Sequence, residues 1–525
     1  MLWSASPFDP LSRTSRRTFL TTSASLAAAA VWSTRASGAI LTALNLADYP
    51  FRLGVASGDP SPDGFVIWTR LAPKPVEGGG MPNEAVYVDW QVAEDEGMKK
   101  IVREGTTVAT PDWGHAVHVE VSGLEPGRWY FYRFRAVNEI SPVGRSRTAP
   151  APTNEPDSMR FAFASCQHFE DGFYTAYDHM AKEELDLIIH LGDYIYEGKA
   201  RTDRVRKHIG TEIHTLDDYR NRHALYKTDE FLQTAHRLFP WLVTWDDHEV
   251  DNNYANNISE EPGVKAEVLL ARRARAYQAY YENMPLRRTS IPNGPDMQLY
   301  RKVSFGRLAE FYVLDTRQYR TDQPCGDGNK APCAEALDPK ATILGDRQEQ
   351  WLLDGLSASS GKWNVLAQQV MMARVDLTPG EAVTHSMDQW PGYEMNRRQV
   401  LKGIAERKVS NPIVITGDIH SNWANDLIAD FDNLDSKVVA SEFVGTSISS
   451  GRDGVREPKL MKEMQAENPF VKFHNAERGY VSCRVTPERW HTDYRVVEYV
   501  TKPGAPLVTR ASFVVEDQRP GLQQA

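Results

Sequence analysis

Two different hydrophobic periods divide the chain. Between residues 50 and 150, short runs alternate apolar and polar positions or are rich in aromatic and β-branched residues: GFVIWTRL (64–71), AVYVDWQVA (85–93), HAVHVEV (115–121) and WYFYRFRAV (129–137). Turn-forming stretches (DPSPDG, GGGMPN, TPDWG and LEPGR) separate them. Alternation at a period of two, punctuated by Gly, Pro and Asp, is the pattern of half-buried strands. The spacing predicts an all-β, fibronectin- or Ig-like sandwich over 48–150. A linker rich in Pro and small polar residues, TAPAPTNEPDS (148–158), follows and marks a boundary.

Beyond it, apolar runs of strand length alternate with helical patterns. The strands expected are MRFAFASC (159–166), LDLIIHLGD (185–193), WLVTWDDHE (241–249), LAEFYVLDTR (308–317), KWNVLAQQVMM (362–372), PIVITGDIHS (412–421), VVASEFVGTS (438–447) and RGYVSCRV (478–485). AEVLLARRARAYQAYYENM (266–284), with a Pro just past its end, and DRQEQWLLDGL (346–356) have helical spacing. Buried strands alternating with helices predict an α/β domain over 158–515.

Composition changes this picture little, being 41% hydrophobic and 25% charged in 525 residues, which permits a sizeable core. A formal net charge of −10 argues against a stable nucleic-acid partner. One basic run, RTDRVRKH (201–208), reads as a solvated loop. The N-terminus changes more. Arg16 and Arg17 precede Phe19, Leu20 and an Ala-rich stretch ending in small residues near Ala36–Ala39, the form of a Tat signal over 1–39. The stretch is too short to span a bilayer. The expected mature protein is exported by the Tat translocase, periplasmic or secreted, and monomeric by default. In that oxidising setting Cys325 and Cys333, eight residues apart in a Gly/Pro-rich loop, are expected to form a disulfide, two free thiols being the alternative. Cys483 reads as a core residue.

The candidate chemistry sits where the strands end: Cys166, Asp193, Asp246-Asp247-His248-Glu249, Gln368-Gln369 and Asp418-x-His420. Sites of α/β sheets lie outside the carboxyl ends of strands. Any one of these residues has a bland reading as a turn, a cap or a core residue; the set does not. In GDxxY, Asp193 has two oxygens with which to bridge two cations. Tyr196 becomes a ligand where a trivalent cation favours its phenolate. That pair suits a bridged centre containing Fe(III), and a Cys166 thiolate would be a further anionic ligand.

FASCQ, HLGDYIYEG, TWDDHEVDNN, LDTRQYR, GDRQEQWL, ITGDIHSNW and RGYVSCRVT together resemble the PhoD-type alkaline phosphatase/phosphodiesterase family. That family lies within the calcineurin-like and purple-acid-phosphatase-like metallophosphoesterases. The resemblance covers essentially the whole chain. It implies a four-layer αββα catalytic core and a centre with Fe(III) and Ca(II). Asp193 would bridge; Cys166, Tyr196 and His420 would bind iron; Asp246 or Asp247, with Asp418, would bind calcium; His248 would sit near the phosphate. Against the wider superfamily, Ser165-Cys166-Gln167 stands in place of an Asp-x-His or Asp-x-Gly, Asp246-Asp247-His248-Glu249 in place of Gly-Asn-His-Glu, so that Asp247 replaces an Asn, and Asp418 replaces a His. Oxygen in place of nitrogen favours Ca(II) over Zn(II). Gln368 or Gln369 is the nearest match to the superfamily's remaining His motif. Arg317 either grips non-bridging phosphate oxygens or pairs structurally with Asp315 or another acid. The expected function is hydrolysis of phosphate mono- or diesters by water activated at the metals. A phospholipase-D-like action on phospholipid head groups and a non-catalytic cell-surface binding protein are the alternatives. Residues 451–477 are a candidate cover for the site.

Overall fold

The strand runs of the second half assemble into two mixed sheets that share one strand, in a computed structural model that describes residues 48–525. The Tat signal expected over 1–39 lies outside the described residues. In the first sheet, Met159–Ala164, Leu187–His190 and Pro240–Val243 run parallel. In the second, Ala309–Val313, Trp363–Ala367, Pro412–Thr416 and Val438–Val444 run parallel, flanked by antiparallel Arg301–Phe305 and Asn422–Ile428. The long strand Val471–Val485 joins them. Its first residues pair with Asn422–Ile428, and its last pair with Met159–Ala164 and Arg489–Val497.

Because successive side chains point to opposite faces of a strand, each strand feeds two apolar clusters. Ile189, Phe161 and Phe163 of the first sheet meet Phe311, Val365, Ile413 and Ile415 of the second. Ile188, Trp241 and Val243 point the other way, against Tyr177, Leu232, Ala276 and Tyr280 of the helices Thr175–Met180, Glu230–Leu238 and Ala266–Asn283. Tyr312, Leu366 and Val414 pack likewise against Leu352, Leu356, Val400 and Ile404 of Gly345–Ser357 and Glu394–Glu406. Each such buried aliphatic or aromatic side chain contributes about 1.5–3 kcal/mol. This burial holds the strand ends in register.

The helix Leu216–Lys227, not expected from periodicity, carries a legible start. Thr215 Oγ1 accepts the Asp218 N–H at 3.2 Å and Asp218 Oδ2 accepts the Thr215 N–H at 2.9 Å, a capping box with Asp as its fourth residue. Its last residue, Lys227, is buried, with its ammonium over the rings of Trp68 (4.5 Å) and Tyr194 (5.2 Å).

The N-terminal strands form two sheets. Val86–Ala93, Ile101–Ala109, Trp129–Ala136 and Gly144–Arg147 make one. Val55–Ser61, Gly64–Arg70 and Ala116–Val121 make the other, and it continues into the first catalytic sheet through parallel pairing of Ser57 and Gly58 with Pro240 and Trp241. Sheet hydrogen bonds therefore cross the Pro-rich linker, a long-range pairing that local pattern does not display. Cys325 and Cys333 are disulfide-bonded, and Cys483 lies in the cluster between the sheets. The segment 451–477 divides: at its start, the carbonyls of Gly451 and Arg452 accept from Arg478, which also donates to the His420 carbonyl beside the strand ends. Its helix Met461–Glu467 is seated through Met461 and Met464 in the outer apolar cluster of the second sheet, because those two residues recur at helical spacing on one face.

Candidate metal centre

The strand ends converge. After Met159–Ala164 and Leu187–His190 the two chains stay paired for two more residues, with the N–H groups of Cys166 and Gln167 donating to the carbonyls of Gly192 and Asp193 at 3.0 Å. Left-handed residues mark these strand ends: Cys166 at φ 57° and Asp193 at φ 57°, and, after Pro412–Thr416, Asp418 at φ 63° and His420 at φ 55°. That conformation costs a non-Gly residue on the order of 1–3 kcal/mol, and functional positions are where it persists. Gly192 makes the approach possible. A Cβ there would lie 2.5 Å from the Asp246 Cβ and 2.6 Å from its backbone N.

Glu249, buried, templates the turn by accepting the backbone N–H groups of Asp193 (3.1 Å), Tyr194 (2.5 Å) and Asp246 (2.8 Å). Sequence reading placed Glu249 in the acidic cluster but gave it no part. Its role is to aim the other acids rather than to join them.

Three overlapping groups result, in each of which ligand atoms lie within 4.8 Å of one another: Cys166, Asp193 and His420; Asp193, Asp247 and His248; Asp246, Asp247 and Asp418. Tyr196 joins the first, its phenol donating to Asp193 Oδ2 at 2.7 Å and standing 3.2 Å from His420 Nε2. Asp193 is shared by two groups, and so is Asp247.

The electrostatics call for cations. Burial, then repulsion among the acids, pushes Asp193 well above the ordinary carboxylate range, though His248 pulls against it. Burial, with Asp193 and Asp418 alongside, pushes the Cys166 thiol well up, and burial and Asp193 do the same to Tyr196. Asp418 is raised to about 6, chiefly by burial. Among the described residues, Asp193 Oδ1, Asp246 Oδ2 and Asp247 Oδ1 are buried without a hydrogen-bond partner. A buried anionic oxygen left bare is costly, and all three belong to residues of the ligand groups above. Burial holds the His420 ring down to about 3, hence neutral with a lone pair to give. The donor set fits metal ions: hard oxygens on one side, and thiol, phenol and imidazole on the other.

Arg317 takes the structural role. Its guanidinium is fully buried, bonded to Asp246 Oδ1 through Nε at 2.5 Å and to both oxygens of Asp388 at 2.7 and 2.8 Å. The partner is not Asp315, whose Oδ1 accepts the backbone N–H groups of Arg317 and Gln318 and none from the guanidinium. The side-chain bonds occupy three of the five guanidinium N–H groups, so the acids it pairs with are Asp246 and Asp388, and its Nη2 also stands 4.0 Å from Asp418 Oδ1. Asp388, 71 residues away, carried no local signal. Gln368 and Gln369 are likewise not ligands. Gln369 bonds Thr316, Thr244 and the Leu314 carbonyl, and Gln368 bonds Val370 and Trp390. Their amides serve as internal braces of the strand end.

His248 Nδ1 lies 2.7 Å from Glu197 Oε2 and so donates to it, leaving Nε2 as the nitrogen without a partner among the described residues. Burial alone would lower this imidazole, but Glu197, Asp247 and Asp193 outweigh it and hold its pKa well above the usual value. Glu197 was passed over in the sequence, although HLGDYIYEG contains it. A Glu197→Gln variant is expected to lower kcat about 10–100-fold, the usual effect of removing a carboxylate that orients a site imidazole. The fold should be kept, and the alkaline limb of the pH–rate profile should move to lower pH. An unchanged profile would remove Glu197 from the account.

Residues 161–494 match the family profile described as PhoD-like phosphatase, and residues 35–150 match that described as PhoD-like phosphatase, N-terminal domain. The chain is 54% identical over 485 residues to alkaline phosphatase D of Bacillus subtilis (strain 168), covering 91% of this chain and 83% of the relative. A solved structure described as that of PhoD superposes with a TM-score of 0.90 at 54% identity, over 92% of this chain and 93% of the other.

Proposed function

Because the chain belongs to the PhoD-like phosphatase family and is a hydrolase of phosphoric ester bonds, we propose that it is an exported, metal-dependent alkaline phosphatase/phosphodiesterase using Fe(III) and Ca(II). The observation that carries the metal reading is the trio of overlapping ligand groups sharing Asp193 and Asp247, with bare buried oxygens among them. Cys166, Tyr196 and His420 would hold the iron, Asp193 would be common to both ions, and Asp246, Asp247 and Asp418 would hold calcium. Bound there, the cations would neutralise charge on the phosphate and make water a better nucleophile.

The protein's own groups do the rest. Arg317 and the Asn253 N–H, which donates to Asp247 Oδ2 at 2.8 Å, each take one oxygen of an acid and leave the other free. Glu197 holds the His248 ring with Nε2 available to pass a proton to the departing ester oxygen. Ser450 Oγ, 2.8 Å from the Tyr196 oxygen, orients the phenol. Phosphoryl transfer needs positioning and charge stabilisation above all, and these contacts supply positioning.

The layering around the two sheets supports an αββα catalytic domain over 158–515, preceded by a fibronectin-like unit over 48–150. The twin-arginine segment and the Cys325–Cys333 disulfide support export to an oxidising compartment. Elemental analysis of the purified protein should find iron together with calcium. A chelator should abolish turnover of a chromogenic phosphate ester, and only both metals together should restore it. Zinc or manganese without iron would keep the phosphoesterase and overturn the roles of Cys166 and Tyr196. Full turnover in metal-free protein would overturn the whole centre.

A further inference from the structure

The basic run 201–208 is only half solvated, which corrects the expectation of a free loop. Arg206 lies 3.9 Å from the centroid of Phe169 and 4.3 Å from that of Tyr174, and pairs with Asp229 at 2.6 Å. Arg204 pairs with Asp171 at 2.6 Å. The buried Glu170 carboxylate accepts the N–H groups of Arg201 (2.9 Å) and His208 (3.0 Å). These contacts fix the loop from inside. Arg201 and the exposed Lys207 are the exceptions, and of the two Arg201 is the one bonded to Glu170. It too is exposed, and among the described residues its guanidinium has no ion pair or hydrogen bond. Its backbone N–H is held on the carboxylate of Glu170, the residue whose own N–H is bonded to the His168 ring.

His168 lies two residues past Cys166, and its ring packs 4.4 Å from that of Tyr196 and 5.1 Å from that of His208. Its backbone is tied down: N–H to Ser450 Oγ at 3.1 Å, and carbonyl accepting Ser449 Oγ at 2.8 Å. His168 Nδ1 accepts the Glu170 N–H at 3.2 Å. With Nδ1 accepting, Nε2 is the ring nitrogen that carries the N–H. Among the described residues Nε2 has no hydrogen bond, and the side chain keeps 12% exposure. Tyr196 also packs on His248, at 4.1 Å. An N–H donor held rigid against the phenol thus stands at the rim of the centre, with an unpaired cation on the loop tied to it through Glu170.

We propose that His168 and Arg201 form a leaving-group subsite. His168 Nε2–H donates to an oxygen of the ester's alcohol portion, and Arg201 pairs with a second anionic group, phosphate or carboxylate, carried on that portion. The preferred substrates are then phosphate esters with a second negative charge a few atoms from the scissile bond. This rests on the reading that the phosphate is held at the Asp193 centre.

The test compares kcat/KM of the holoenzyme on propane-1,3-diol bisphosphate and on its monophosphate, for the parent, Arg201→Gln and Lys207→Gln. The parent should favour the bisphosphate. Arg201→Gln should lower that preference about 2–5-fold, mostly through KM, the size expected for one solvent-screened charge pair. Lys207→Gln, which removes the same charge from the same loop, should keep it. His168→Phe preserves packing on Tyr196 and removes the donor. It should slow alkyl esters more than p-nitrophenyl phosphate, with metal content and melting temperature at the parent level. Equal loss on every substrate, an unaltered preference in Arg201→Gln, or the same loss in Lys207→Gln would overturn the subsite. A metal-loaded parent inactive on all three esters would instead overturn the underlying reading of the centre, and the subsite with it.

Discussion

Asp193→Asn is expected to lose turnover by at least about 10²–10³-fold, the size of effect seen when one preorganised charge-stabilising group is removed, while the protein folds as before. Asp193 belongs to two of the three ligand groups, its Oδ2 accepts the Tyr196 phenol at 2.7 Å, and its Oδ1 is buried and bare. The amide keeps the size of the carboxylate and one acceptor oxygen, but no longer offers two anionic oxygens to two cations. Stability should not suffer. The carboxyl group is driven up by burial and by Asp246, Asp247 and Glu249, so removing its charge relieves repulsion inside the fold. Denaturant unfolding of metal-free parent and variant, beside kcat on a chromogenic ester and iron content, separates the two effects. Turnover within a few-fold of the parent would sink the assignment of Asp193.

Lys227→Met is expected to stabilise the protein most at neutral pH and least in strong alkali. Lys227 has only the rings of Trp68 and Tyr194 under its ammonium, and among the described residues no carboxylate pairs with it. Burial lowers it from 10.5 to about 7. Between those values the unfolded chain holds a proton that the folded one does not, so stability rises with pH across that window, by up to about 1.4 kcal/mol per pH unit. Below about 7 the lysine is charged in both states, and the penalty is full and constant. Integrated over the window, a few kcal/mol separates the neutral and alkaline limits. A Met of similar length carries no such penalty, so its advantage should be largest at pH 6–7 and fade above about pH 10. Unfolding free energies of both proteins at several pH values test this, and parallel curves would show that the ammonium meets a counter-charge after all.

The strands and the residues at their carboxyl ends were legible because both are local. A fully buried strand reads as an apolar run, and Cys166, Asp193, Tyr196, Asp247, His248, Asp418 and His420 follow directly on such runs. The groups that aim these residues were not legible. Asp388 braces Arg317 from 71 residues away, and Glu197 reaches His248 across 51. A partner's identity at that distance leaves no periodicity. Glu197 and Glu249 were in view within quoted motifs, yet a carboxylate that accepts backbone N–H groups cannot be told from one that binds a cation by residue type alone. The join between the N-terminal strands and the catalytic sheet was missed for the same reason, because pairing of Ser57 with Pro240 is a property of the tertiary structure.

The shared strand Val471–Val485 works as a clasp. It closes the first sheet beside Met159–Ala164 and the second beside Asn422–Ile428, and within it Arg478 donates to the His420 carbonyl. A second, smaller catch is the bridge between Ser165 and Ser447, just before Cys166 and just after Val438–Val444. The ligand group of Cys166, Asp193 and His420 is therefore held shut by a strand that begins 51 residues beyond the last of its members, so a substitution that loosens Val471–Val485 should disturb the centre without touching any residue in it.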